Sequence, residues 1–210
     1  MAWILLMVLF VLQWNARSLI ADGQEFKKYI DNLGDKPNVM CIQETWLKPQ
    51  LDFILKGYTA VRRDREPGRG GGVATFIQIG VRYKLMSANT DHEAIVIKVW
   101  TDRGPIHIIN YYNPCGKLNQ DILEVVGGSS LDRVLWCGDF NSHNSLWGSN
   151  GTDANGSVIE EFIEYHNLVC INSGEGTRYN SIQNTESPLD LTFVSCALAG
   201  ISTCGKALMW

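Results

Sequence analysis

The sequence predicts an α/β domain of two packed sheets with helices on the outside. Three observations lead there: a long series of short apolar runs, few helical patterns between them, and a composition able to fill a core. The chain has 210 residues, 45% of them hydrophobic and 10% aromatic, with seven Trp, seven Tyr and seven Phe. That length suits one domain, and this much apolar surface offsets the ordering entropy that keeps polar chains disordered. No repeat, low-complexity tract or dividing linker interrupts residues 1–210.

The first twelve residues, MAWILLMVLFVL, are all apolar. They fall well short of the ~20 residues a membrane-spanning helix needs. β-Branched and aromatic content favours a buried strand over a signal peptide, since no Lys or Arg precedes the run. Asp22 and Glu25 have capping-box spacing, and Phe26, Tyr29, Ile30 and Leu33 recur at helical intervals before Gly34 and Pro37. Strands are predicted at 39–42, 58–61, 73–77, 94–100, 106–112, 134–137, 168–171 and 189–194, and two further helices at 118–126 and 158–165. The PGRGGG run is followed by a strand and by no GK[ST], which makes it a flexible turn instead of a phosphate loop. Asn150-Gly and Asn155-Gly fit glycosylation sequons, which matter only in a secreted chain; both read as turns.

The six cysteines (Cys41, Cys115, Cys137, Cys170, Cys196, Cys204) are widely spaced and include no CxxC pair, so they are expected to be reduced core residues. A net charge of -4 argues against a protein that coats nucleic acid through bulk charge. It leaves room for an enzyme that reaches a phosphate through a bound cation.

The chemistry-bearing residues sit where apolar runs end. Asn15 closes the first, Glu44 follows Ile42, Tyr112 closes the run from Ile106, Asp139 and Asn141 follow Val134, and Asp190 lies in the last. Strand ends on one rim of a sheet bring sequence-distant residues into one crevice. Singly, Asn15, Asp139 and Asn141 could be turn formers, Glu44 a solvated charge and Tyr112 a core ring; their joint placement is what points to a site. Amide and carboxylate oxygens without paired His or Cys suit Mg²⁺ or Mn²⁺. His92, His107 and His166 read as structural. Arg62, Arg63, Arg65 and Arg69 form the one local basic cluster, a solvated loop or a phosphate-backbone contact. His143, two residues after Asn141, joins them as a candidate DNA contact.

These motifs, QWNARSL, IQETWL, NYYNP, WCGDFNSHNSLWGS and SPLDLTFVS, resemble in order and spacing those of the endonuclease/exonuclease/phosphatase superfamily. The wording is closest to the endonuclease domain of LINE-type non-LTR retrotransposons, and the match runs from Leu12 to about Leu198. The resemblance implies a four-layer α/β sandwich that hydrolyses phosphodiesters with Mg²⁺ (or Mn²⁺), acting on DNA as a nicking endonuclease. It implies that Glu44 holds the metal and Asn15 helps order it, that Asp139 orients or deprotonates the attacking water, and that Asn141 hydrogen-bonds a phosphate oxygen. Tyr112 would support the phosphate and Asp190 orient a catalytic histidine. It further implies a DNA partner, no membrane, no obligate protein partner, a reverse transcriptase downstream in the parent element, and action inside the cell, in the nucleus on chromosomal DNA. The family pattern closes with Ser-Asp-His, which does not follow Asp190 here. On the resemblance the domain therefore lacks its C-terminal segment. That sets two other readings beside the endonuclease: an inactive remnant retaining the fold with weak metal or DNA binding, and a phosphatase of the same superfamily.

Overall fold

A computed structural model describes residues 2–6, 9–86, 92–114, 116–127, 132–172, 178–180, 185–187, 189–200 and 202–205. The first apolar run forms two strands instead of one: β1 (Ala2–Leu6) and β2 (Leu9–Asn15) pair antiparallel, with Ile4 opposite Val11. Folding back puts both of these side chains, fully buried, in the same core layer, where a single long strand would run beyond it. Helix α1 (Leu19–Asn32) starts a turn earlier than the Asp22–Glu25 spacing predicts, because the Ser18 hydroxyl accepts from the Ala21 N–H at 3.2 Å and takes the cap. Asp22 instead lies in the first turn, where its charge suits the helix dipole.

The chain continues through β3 (Val39–Gln43), β4 (Tyr58–Arg63), β5 (Val73–Gln78), β6 (Tyr83–Met86), β7 (Glu93–Thr101) and β8 (Gly104–Tyr112). Helix α2 (Gln120–Gly127), β9 (Val134–Asp139), a 3-10 turn at Ser145–Trp147 and helix α3 (Ala154–Tyr165) follow. The last elements are β10 (Leu168–Cys170), β11 (Arg178–Asn180), β12 (Thr185–Ser187), β13 (Asp190–Ser195), α4 (Cys196–Ala199) and β14 (Ser202–Gly205). Asn155-Gly156 is not the predicted turn but the first turn of α3, capped by Asp153. Gly156 is required there, since a Cβ would stand 1.9 Å from the His143 carbonyl oxygen.

Two six-stranded mixed sheets result, ordered β14-β1-β2-β3-β5-β4 and β10-β13-β9-β8-β7-β6. Three apolar layers give the four-layer sandwich. Val11, Val39, Cys41, Ile97, Ile108 and Leu135 fill the space between the sheets. Phe26 and Ile30 of α1 pack with Met40 and Phe76 on the outer face of the first sheet. Leu123, Ile159 and Phe162 of α2 and α3 cover Trp136 and Phe193 on the second. Cys41 and Cys137 are buried free thiols as expected, but Cys196 opens α4 exposed to solvent and is no core residue. Among the described residues no helix is long and apolar enough to cross a membrane.

The fold positions the site through its two parallel pairs. β2 runs beside β3 with Asn15 opposite Gln43, and β8 beside β9 with Tyr112 opposite Asp139. β13 enters antiparallel to β9, so that Asp190 faces Asp139. Strand ends from both sheets thus meet at one rim.

Candidate active site

Asn15 joins the two sheets. Its side-chain NH₂ donates to Glu44 Oε1 at 2.9 Å and to Asp139 Oδ2 at 2.6 Å, one hydrogen to each carboxylate. Its own oxygen accepts from the Arg17 N–H at 3.1 Å, which fixes the amide's orientation. Below it the Ala16 N–H donates to Gln43 O and the Leu19 N–H to Thr45 O, both at 2.9 Å, holding the β2 and β3 exits side by side.

On the second sheet the Asn113 N–H donates to Asp139 O at 2.8 Å, the Asn141 N–H to Asp139 Oδ1 at 3.0 Å, and Asn141 Nδ2 to Asn113 O at 2.7 Å. Asp190 Oδ1 accepts from Gln13 Nε2 at 3.0 Å. Backbone strain gathers here: Arg17, Glu44, Trp46 and Asn141 have φ of 49, 48, 56 and 45°, a region non-glycine residues rarely adopt.

A buried amide relay supports this rim and was not anticipated. Gln13 Nε2 donates to Gln43 Oε1 at 2.9 Å, Gln43 Nε2 to Asn110 Oδ1 at 2.7 Å, and Asn110 Nδ2 to Ala74 O at 3.0 Å and Thr75 Oγ1 at 3.2 Å. Gln13, Gln43 and Asn110 are essentially inaccessible to solvent. Leaving such groups unpaired would cost ~1–3 kcal/mol each, so the relay specifies how the sheets dock. Its sequence signal was a lone amide in each of three apolar strands.

A second cross-sheet tie involves Glu93, also not anticipated. Its carboxylate pairs with Arg65 Nε and accepts from the Gly72 N–H, and the Arg65 guanidinium stands 5.7 Å from the centroid of the Tyr112 ring. The glycine turn is therefore anchored, not flexible. Gly71 O and Gly72 O accept from the Trp46 and Thr45 N–H groups at 2.9 and 3.1 Å, and Trp46 Nε1 reaches Glu44 Oε2 at 3.4 Å.

The predicted basic cluster separates by role. Arg62 is bound to Asp64 at 2.7 Å and to the carbonyls of Lys48 and Leu51, and Arg65 to Glu93, so both guanidinia are engaged within the domain. Arg63 is half-buried at the end of β4. Arg69 is exposed and lies 5.5 Å over the Trp46 ring, beside Glu44. His143 is held through its backbone, its N–H donating to Asp153 Oδ2 at 2.9 Å. The following NSLWGS segment is a packed buttress. Asn144 bonds Leu146 N and Glu160 Oε2, Trp147 is buried beside Phe193, and Gly148 closes the turn with φ of 90°.

Electrostatics distinguish the carboxylates. Burial first, then the charge of Asp190 and more weakly that of Glu44, push Asp139 up to about 8, against the opposing Asn141 N–H and Asn15 amide. Tyr112 is held above the usual phenol range by burial and by Glu44 and Asp139, so its O–H remains a donor. Among the described residues no three His, Cys, Asp or Glu side chains converge as a cage. A hard cation held by one or two carboxylates, with waters and substrate filling the remaining positions, nevertheless fits. The available ligand atoms are carboxylate and amide oxygens, and a bound cation would offset the burial and the neighbouring carboxylate charge that raise Asp139.

Two six-stranded mixed sheets between helices, with a carboxylate-and-amide rim at the strand ends, are the arrangement that the resemblance to the endonuclease/exonuclease/phosphatase superfamily implies. Comparison with known proteins agrees. The Endonuclease-reverse transcriptase family model matches residues 106–207. The RNA-directed DNA polymerase from mobile element jockey of Drosophila melanogaster is 23% identical over 189 residues, covering 87% of this chain and 20% of that protein. The chain thus spans about a fifth of that relative's length. Among solved structures, the endonuclease domain of TRAS1, a telomere-specific non-LTR retrotransposon, superposes with a TM-score of 0.71 at 19% identity, covering 89% of this chain and 84% of that one. The 3'-5' exonuclease NExo from Neisseria meningitidis gives 0.66 at 16% identity, with 90% and 88% covered. An AP endonuclease from Archaeoglobus fulgidus gives 0.62 at 18%, with 90% and 88% covered. The resemblance to this superfamily, and to its LINE-type retrotransposon endonucleases, is borne out.

Proposed function

We propose that this chain is a divalent-cation-dependent phosphodiesterase domain that nicks DNA, belonging to a retrotransposon that carries a reverse transcriptase downstream. The observation that carries the reading is the Asn15 amide shared between Glu44 and Asp139, one carboxylate from each side of the rim. It sets a cation-binding oxygen and a water-orienting oxygen beside one another.

Glu44 would hold Mg²⁺, with Asn15 fixing its carboxylate. When bound, the ion supplies Lewis-acid stabilisation of the charge that grows on the phosphate. Asp139, raised by burial and by Asp190 while the site is cation-free, would in its ionised form orient and deprotonate the attacking water. Asn141 keeps one amide hydrogen beyond its bond to Asn113 O for a phosphate oxygen. Tyr112 donates its phenolic hydrogen to the same phosphate. Asp190, fixed by Gln13, maintains the negative field that makes Asp139 basic. Arg69 and Arg63 flank the rim on the first-sheet side, suited to a phosphate backbone. Chromosomal DNA as the substrate would place the domain in the nucleus.

The test is nicking of supercoiled plasmid by the purified chain in Mg²⁺, in EDTA, and in Mg²⁺ with Asp139→Ala. Nicking in the first condition alone is expected. Equal nicking in all three would overturn the reading, and phosphate release from phosphorylated lipid or sugar in preference to nicking would replace DNA as the substrate.

A further inference from the structure

The outer face of the second sheet carries an unneutralised basic patch far from the rim. Residues directly opposite one another in a sheet share a face, and the register places Lys84 of β6 opposite Lys98 of β7, and Lys98 opposite His107 of β8. Trp100, two residues beyond Lys98, lies on the same face, with the Arg82 guanidinium 4.7 Å and Lys98 Nζ 5.8 Å from its ring centroid. Ile95, Ile97 and Val99 point into the core between the sheets, so this alternate set points outward. Arg82 and Lys84 are exposed, and Lys98, Trp100 and His107 are half-buried.

The ion pairs made by Arg62, Arg65 and His166 involve no residue of this patch. Like charges directly opposite one another weaken a sheet, so Lys84 and Lys98 facing each other on adjacent strands gain nothing for the fold. Burial and the neighbouring Lys98 ammonium hold His107 below its ordinary range, consistent with a positive field at the patch. A polyanion would relieve this repulsion. The chain's net charge of -4 makes the patch a local feature, not a product of bulk charge.

We propose that Arg82, Lys84, Lys98, His107 and Trp100 form a second nucleic-acid contact that binds a single strand, its phosphates on the cations and a base against Trp100. A flat sheet face with an aromatic among cations suits unstacked bases, whereas a duplex hides its base faces. The patch lies roughly 17 Å along β8 from Tyr112. None of its residues belongs to the rim, so the site goes beyond the nuclease reading.

The experiment is fluorescence anisotropy of a labelled oligothymidylate with the full chain in EDTA, so that binding is read without cleavage. Lys84→Glu/Lys98→Glu should weaken binding at least about tenfold and flatten the salt dependence from a log–log slope of about -2. Trp100→Ala should weaken binding and leave the slope unchanged. If thermal unfolding shows the double variant to be destabilised, Lys84→Glu alone decides, since Lys84 is exposed. Wild-type affinity in the charge-reversed chain would overturn the proposal, and so would duplex DNA or anionic vesicles competing as well as the oligonucleotide. Loss of oligonucleotide binding in the variant, with a wild-type chain that does not nick plasmid, would uphold the patch and refute the nuclease reading alone.

Discussion

Glu44 and Asp139 share one amide but are held by different means. Asp139 is the last residue of β9, locked between Tyr112 and Asp190 by strand register. Glu44 lies one residue beyond β3, in the left-handed region, followed by a segment tied to a glycine turn that is anchored through Glu93 to the other sheet. The second sheet's half of the site is therefore part of the core. The first sheet's half is set instead by loop hydrogen bonds that lie outside the strand ladders. A cation ligand tolerates that, since its coordination draws the carboxylate into place, whereas a group that must aim a water does not.

The contrast is tested most severely at Gly138, the residue before Asp139. A Cβ on Gly138 would stand 1.8 Å from the Tyr111 carbonyl oxygen, so Gly138→Ala should cost about 3 kcal/mol or more in urea unfolding, with loss of soluble protein at the extreme. A stable Gly138→Ala chain would break the claim that the second half is core. Next in size, Asp139→Asn should lower nicking by about 10²–10⁴-fold with the fold intact by circular dichroism.

Asp139 also gives a pH signature. Its folded pKa of about 8 lies above the unfolded value near 3.9, so the cation-free native state holds an extra proton between these limits. Stability should fall as pH rises from about 4 to about 8, by at most ~1.4 kcal/mol per unit, and level off above. Denaturant midpoints across that range should show the fall, and Asp139→Asn should flatten it. A rise would refute the assignment.

Glu93→Gln should instead raise the Mg²⁺ concentration for half-maximal nicking about 10–100-fold, with little change in Tm. An equal loss of Tm and Mg²⁺ response would merge the two halves into one. The smallest effect expected is Arg62→Ala, about 1 kcal/mol by thermal unfolding, with Mg²⁺ response unchanged, because its contacts to Asp64, Lys48 and Leu51 stay within the first-sheet loops.

The same division decided what could be read from the chain. Strand ends announce themselves as polar residues after apolar runs, which marks Asn15, Glu44, Tyr112 and Asp139, whereas Asp190 opens β13 and stands out as the charge within its run. Glu93 opens a strand instead of closing one, and its partners, Arg65 and Gly72, come from a loop whose path no periodicity encodes. The hairpin in the first apolar run escaped notice because both strands and the connection are apolar, so no turn residue marks the reversal. Arg62 and Arg65 looked like a solvated or DNA-facing cluster; their pairing with Asp64 and Glu93 depends on loop geometry, and the Glu93 partner lies 28 positions away.

The bond from Gln13 to Asp190 closes a separation of 177 positions, and that from Asn15 to Asp139 one of 124. Loop-closure entropy makes such contacts late events in folding. During synthesis β2 must therefore wait, with its apolar side chains uncovered, until the second sheet has emerged. The rim residues then come together only in the finished domain, and a partly made chain carries their side chains without the site they build.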